Sequence, residues 1–151
     1  MSTAKVPANL PQWIGDHLRR YIESNGADGH LWDSKPVGGP GLLPTLLLTT
    51  TGRHSGKSIT MPLIYGEVDG KYVIVASKGG APQHPGWYFN LAAQPAVGVQ
   101  VGADRFQATS RTATGEERAR LWKTMAAIYP PYDAYQAKTQ REIPVVVLER
   151  M

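Results

Sequence analysis

Three basic side chains, Arg53, His54 and Lys57, share one short stretch that contains Gly52 and Gly56 and ends at Ser58. Cations and open backbone N–H groups on a single turn suit an anion. The stretch is not a Walker A turn. That motif needs four residues between its glycines and a helix after its Lys-Ser, so that N–H groups converge on the phosphates. Here three residues separate Gly52 from Gly56, and the continuation, SITMPLIYGEV, is β-branched and apolar with Pro62 inside it. That pattern reads as an edge or bulged strand. A nucleoside triphosphatase is set aside, leaving an anion site or an ordinary solvated hairpin turn.

A second turn, Ser77-Lys78-Gly79-Gly80, follows the apolar run VIVA and offers a hydroxyl and free N–H groups at a strand end. Read alone it is a plain turn. Two glycine- and lysine-bearing turns, each directly after a strong strand, favour one converging anion site. No G-x-S-x-G elbow accompanies Ser77, so serine-hydrolase chemistry is not expected. His17, His30, His54 and His84 show no i, i+3 or i, i+4 pairing, and no metal site is expected. Tyr129, Tyr132 and Tyr135 recur every third residue. Such a cluster is commonly a packing feature; in a redox pocket it supplies an aromatic wall and a phenol still protonated at neutral pH.

The elements that must position these groups are legible from periodicity. Residues 11–24 alternate apolar Trp13, Ile14, Leu18, Tyr21 and Ile22 with charged side chains at helical spacing, an amphipathic helix starting near Pro11. It packs on the main fold or, in the alternative reading, touches a membrane surface. Residues 24–44 are rich in Gly and Pro and read as a linker or long loop. Strands are expected over 45–50, 58–67, 71–77, 96–102 and 104–112, with an Asp69-Gly70 hairpin turn. A short helix should precede Pro95. Thr114 and Glu117 offer a capping box for a helix through Ile128, and IPVVVLE reads as a fully buried closing strand. The expected class is α+β, a small antiparallel β-barrel with three or four peripheral helices. Residues 1–41 form its appended helix and linker, and 42–151 the barrel.

With 151 residues, 42% of them hydrophobic, the chain can bury one substantial core. The absence of cysteine excludes disulfides, thiolate metal ligands and a cysteine nucleophile, and suits a reducing compartment. The first thirty residues hold no signal-peptide core, and no apolar run nears the roughly twenty residues that span a bilayer. A cytoplasmic protein, with membrane association only through the first helix, is the expectation. The net charge of +4 is spread along the chain without a basic run or an aromatic-basic RNA motif. A small anionic ligand or lipid surface is favoured over nucleic acid.

Taken together, TTTGRHSGKSITMPLIY, VIVASKGGAPQHPGWYFNLAAQPAVGVQV, TATGEERARLW and YPPYDAYQAKTQREIPVVV resemble the deazaflavin-dependent nitroreductase family, in matching order over about residues 42–149. These are split β-barrel oxidoreductases of mycobacteria and related actinobacteria that use reduced coenzyme F420. The resemblance implies that Arg53, His54, Ser55, Gly56, Lys57 and Ser58 hold the coenzyme's phosphate and acidic tail. It implies further that Met61, Pro62, Ala76, Ser77, Lys78 and Gly79 border the deazaflavin, with Trp87 and Asn90 nearby, and that Tyr129, Tyr132 and Tyr135 close the substrate side. Hydride would pass to a quinone, enone or nitroaromatic, with Tyr132, then Ser77, stabilising or protonating the product. Family members commonly carry Lys at position 54 and Arg at position 59, where this chain has His and Ile. The alternatives are a protein that binds the deazaflavin without turnover, and one that takes FMN. Split-barrel relatives are often homodimers, so self-association is a further expectation.

Overall fold

A computed structural model describes residues 11–151 of the chain, which form four helices and eight strands. α1 (Gln12–Glu23) starts after Pro11 and stops where Asn25 and Gly26 turn left-handed, at φ 54° and 90°. The Gly26 N–H returns to the Tyr21 carbonyl at 2.8 Å, closing a Schellman-type cap. Glycine is required there. A Cβ on Gly26 would lie 2.2 Å from the carbonyl carbon of Gly102.

The sheet is organised around β2 (Leu42–Thr51). β1 (Leu31–Asp33) pairs with its first residues, β3 (Ser58–Ile64) with the remainder, and β6 (Ala96–Val101) across Leu47–Thr49. The antiparallel path continues through β7 (Asp104–Thr112), β8 (Val145–Arg150), β5 (Lys71–Val75) and β4 (Gly66–Val68). β3 is bonded only to β2, and β4 only to β5, at the far end of the sheet. A single residue, Tyr65, joins β3 to β4. The two ends of the sheet must therefore meet, and the sheet curls into a split barrel with its seam at Tyr65.

Strand alternation explains the two apolar layers. Leu46, Leu48, Ile74, Val146 and Leu148 fill the barrel with Trp87 and Leu91 of α2 (Gly86–Ala93). Val73, Val75, Val145 and Val147 face outward under Leu121 and Met125 of α3 (Gly115–Ile128) and Tyr132 of α4 (Pro131–Lys138). β8 is covered on both faces, which is why its sequence is continuously apolar. Leu47, on the outer face of β2, is covered by Leu18 and Tyr21 of α1. Among the described residues no helix is long and apolar enough to cross a membrane.

Three local expectations are corrected. The stretch 24–44 is not irregular throughout: β1 forms in it because Ser34 and Gly41 exchange bonds that bring Leu31–Asp33 back onto β2. The strand read as 58–67 is two strands, since its halves pair at opposite ends of the sheet. Thr114 is the N-cap of α3, but its side chain makes no capping bond. Glu117 turns instead to Arg111 on β7, with bonds of 2.5 and 2.9 Å, so the capping box does not form. The Asp69-Gly70 turn has both residues at positive φ, 53° and 75°, as a type I′ hairpin requires.

Tyr21 fastens α1 to the barrel. Its fully buried hydroxyl accepts the Gly102 N–H at 2.8 Å and faces the carbonyls of Thr45 and Gln100 at 3.0 and 3.2 Å. Burial holds this phenol protonated, with its pKa pushed up to about 12. Tyr21→Phe strands a buried N–H and carbonyl, and is expected to lower unfolding free energy by about 1–3 kcal/mol. Urea titration of the two proteins measures the loss.

Candidate active site

The principal cavity, about 830 Å³, lies between β3, the turns after β2 and β5, the start of α2, α1, and the segment bearing the three tyrosines. That volume falls within the range of small-molecule sites. Arg53, His54, Ser55, Met61, Pro62, Ser77, Lys78, Gly79, Trp87, Asn90, Tyr129, Tyr132 and Tyr135 all border it. Gly56, Lys57, Ser58 and Ala76 do not. Lys57 and Ser58 are exposed beyond the bend of the loop, whereas Ala76 is buried in the barrel core.

At one end the chain after β2 makes a closed loop, with Gly52 N–H donating to Lys57 O and Gly56 N–H to Gly52 O, both at 2.8 Å. The Arg53 backbone N–H and its Nη1 both donate to Asn90 Oδ1, at 3.1 and 3.0 Å. Nη1 also reaches the Gly86 carbonyl at 3.3 Å, and the guanidinium lies 5.0 Å from the Phe89 ring centroid. Buried Asn90 is itself held by donating to Thr50 Oγ1. Arg53 is thereby pinned beside the N-terminal turn of α2, where unpaired N–H groups and the helix dipole favour negative charge. Ile59 borders the same region without charge, so positive potential here rests on Arg53 and the helix end.

The turn after β5 presents Ser77, Lys78 and Gly79. Lys78 at φ 47°, Gly79 at 65° and Gly80 at 82° follow a right-handed Ser77. An αR residue followed by αL residues directs successive N–H groups into one concavity, an anion-seeking nest. Gly79 and Gly86 matter for space as well: a Cβ at either would meet no protein atom within 4 Å, and both glycines border the cavity. The cavity thus has two bare backbone walls that a flat ligand can approach closely.

At the opposite side the tyrosines divide into a pair and a single. The hydroxyls of Tyr129 and Tyr135 are bonded to each other at 3.0 Å. Tyr132 packs edge-on to Tyr129 with centroids 4.8 Å apart. Its own hydroxyl has no hydrogen-bond partner among the described residues. Burial pushes the phenols of Tyr129 and Tyr132 well above the ordinary value, so both remain neutral donors through the physiological range.

Sequence reasoning missed the walls given by Trp13, Ile14 and His17 of α1, Trp32 of β1, and Leu63 and Ile64. Trp13 and Trp32 stack at 5.8 Å, joining the first helix to a residue of the stretch read as a linker. Only the exposed aromatic on an amphipathic helix hinted at this. It also missed Arg141 and His84, which lie behind the Ser77 turn and are bonded to each other at 2.9 Å.

His17 and His84 both have lowered pKa values, chiefly through burial. For His17 the Gly29 carbonyl and Asp28 oppose the shift and Arg20 adds to it; for His84 Arg141 adds to it. Their ordinary value is 6.5, so as pH falls through that point the unfolded chain takes up protons that the folded chain resists. Stability is retained above this window and lost below it. The unfolding midpoint is expected to be lower at about pH 5.5 than at about pH 7.5, with a smaller gap in His84→Gln, checked by thermal melts. Glu117 and Glu149, depressed by Arg111 from 4.5, act only at lower pH.

Residues 13–150 match the F420H(2)-dependent quinone reductase family. The chain belongs to that family. An F420H(2)-dependent quinone reductase of Mycobacterium tuberculosis is 42% identical over 149 residues, which cover 93% of this chain and 95% of the relative. The solved structure of an F420-H2 dependent reductase of the FDR-A type is 51% identical, covers 70% of this chain and 94% of its own, and superposes with a TM-score of 0.66. A second solved protein, a domain-swapped dimer, is 44% identical over 91% of this chain and 98% of its own, with a TM-score of 0.69. Membership of the F420H(2)-dependent quinone reductase family makes coenzyme F420 the expected cofactor. The nest at Ser77, the pinned Arg53 and the bare glycine walls fit a flat conjugated ligand with an anionic arm.

Proposed function

We propose that this chain passes hydride from reduced coenzyme F420 to a quinone-type acceptor inside the 830 Å³ cavity. The observation that carries this reading is the polarity of that space. Cationic and N–H donors lie along one wall, a buried unpartnered phenol stands on another, and apolar side chains fill the remainder. When bound, the reduced deazaflavin supplies two electrons and a proton together as hydride. The protein's residues do the rest.

Arg53 and the first turn of α2 hold the anionic arm. The Ser77–Gly79 nest donates to ring acceptors, while Met61 and Pro62 of β3 border the flat ring. Pro62 has no N–H, so the open edge of β3 offers the ring an apolar step at that point. Trp87, Tyr129 and Val75 exclude water, which strengthens each of these interactions. Hydride delivered to one quinone oxygen would leave the negative charge of a hydroquinone monoanion on the other. The Tyr132 hydroxyl donates to that oxygen, with Ser77 as the second donor, and a proton completes the hydroquinone. Enones and nitroaromatics develop the same kind of charge and belong to the same reaction class.

Trp13, Val37 and Leu42 are exposed, and the first two border the cavity, which favours an acceptor bearing an apolar substituent or arriving from a lipid surface. Oxidation of the reduced coenzyme by menadione, a cyclohexenone and a nitroaromatic, followed by absorbance, tests the reading. Turnover fastest with the quinone is expected. Tight coenzyme binding without turnover for any acceptor would replace the reductase with a sequestering protein.

A further inference from the structure

The turn that faces the coenzyme site is conformationally costly. Lys78, Gly79 and Gly80 are left-handed in succession, a conformation that an L residue such as Lys78 adopts only at a steric cost. Among the described residues, the backbone bonds within the turn are Gly80 N–H to Ser77 O at 2.9 Å and Ala81 N–H to Lys78 O at 3.2 Å. Such backbone persists where its surroundings over-determine it.

The surroundings are supplied largely by one side chain. Arg141 donates through Nη2 to the Ser77 carbonyl at 2.7 Å, through Nε to the Ala81 carbonyl at 2.8 Å, and through Nη1 to the Ala76 carbonyl at 3.3 Å. Its Nη1 also donates to His84 Nδ1 at 2.9 Å, so all three guanidinium nitrogens are engaged. On the same side, α4 presses against Gly80, where a Cβ would fall 2.8 Å from the Tyr135 carbonyl oxygen.

In a trans peptide the C=O and N–H point to opposite sides, and the described residues contain no cis bond. Turning the carbonyls of Ala76 and Ser77 onto Arg141 therefore turns the N–H groups of Ser77 and Lys78 away from it. Ser77 and Lys78 border the cavity, and neither N–H has a backbone partner among the described residues. A cation bonded to a carbonyl oxygen polarises the peptide and strengthens the N–H at its other end.

We infer that Arg141 is a positioning residue for hydride transfer. It clamps the carbonyls on both sides of the Ser77–Gly80 turn and so aims that turn's N–H groups into the cavity as polarised donors to the coenzyme. This rests on the reductase reading and adds a residue that itself touches neither coenzyme nor acceptor. A lysine cannot replace it, because one ammonium point cannot span three carbonyls.

The experiment compares wild type, Arg141→Ala and Arg141→Lys for kcat, KM, and the absorption band of bound oxidised coenzyme. Arg141→Ala is expected to lose about tenfold in kcat, with the band displaced toward that of free coenzyme. Millimolar guanidinium should restore both in Arg141→Ala and neither in Arg141→Lys. An unchanged band and kcat in either variant overturns the inference, as does a loss that guanidinium leaves untouched in folded Arg141→Ala. Should Arg141→Ala not fold, Arg141→Lys decides by its band and kcat. A wild-type protein that fails to oxidise reduced coenzyme overturns the reductase reading itself, and this inference with it.

Discussion

Tyr132→Phe is expected to slow hydride transfer to a quinone about a hundredfold while leaving coenzyme affinity nearly unchanged. The asymmetry follows from the three phenols. Tyr129 and Tyr135 are already bonded to one another, so breaking into that pair forfeits a hydrogen bond. Tyr132 has no such partner, is 4% exposed, and has its proton secured by burial. A neutral donor in a dry site stabilises charge that exists only after hydride begins to move, which raises kcat and leaves ground-state binding alone. Phenylalanine keeps the ring packing against Tyr129 and against Trp122, whose centroid is 6.3 Å away. Single-turnover stopped flow gives the rate and fluorescence titration the affinity. An unaltered rate would remove the phenol from the reaction and leave Ser77 as the donor.

Arg53→Ala is expected to weaken coenzyme binding about tenfold to a hundredfold, equivalent to about 1.5–3 kcal/mol for charge-assisted bonds. The side chain is held in place before any ligand arrives, through Asn90 Oδ1, the Gly86 carbonyl and the Phe89 ring, so little entropy is lost when it meets an anion. The loop should survive the substitution, because its backbone bond from Arg53 N–H to Asn90 remains. Arg53 is exposed, so its attraction is screened: wild-type affinity should fall as salt rises, and the alanine variant should show a shallower dependence. Isothermal titration at several salt concentrations measures both slopes. Equal slopes would assign the anionic arm to another part of the molecule.

These two variants also separate the ends of the cavity. One changes the rate and the other the affinity, as expected if the cationic turn and the tyrosines serve different partners. Ile59 borders the cavity without charge, which leaves Arg53 the larger electrostatic role expected at this end. Lys57 stands outside the cavity wall and does not share in it directly.

Local chemistry was readable along the chain. β-Branched, apolar or alternating runs located β2, β5, β6, β7 and β8 to within a few residues, the Asp-Gly pair set a hairpin, and counting between Gly52 and Gly56 removed the P-loop. These features depend on near neighbours, whose period and φ preferences the residues themselves dictate. Ser77-Lys78-Gly79-Gly80 and the tyrosine triplet were likewise visible as motifs. Other features depended on partners distant in sequence. Tyr65 became the seam of the barrel because β3 and β4 pair with strands at opposite ends of the sheet. Leu31–Asp33 became a strand because β2 offered an edge to it, and Glu117 left its capping position for Arg111. Trp13 and Trp32 joined one wall only once α1 had docked on Leu47. Arg141, with no motif around it, found the Ser77 turn across more than sixty residues of chain. Side-chain period is a property of a segment, whereas convergence on a cavity is a property of the closed sheet. That is why the first could be read from residue order and the second required the folded chain.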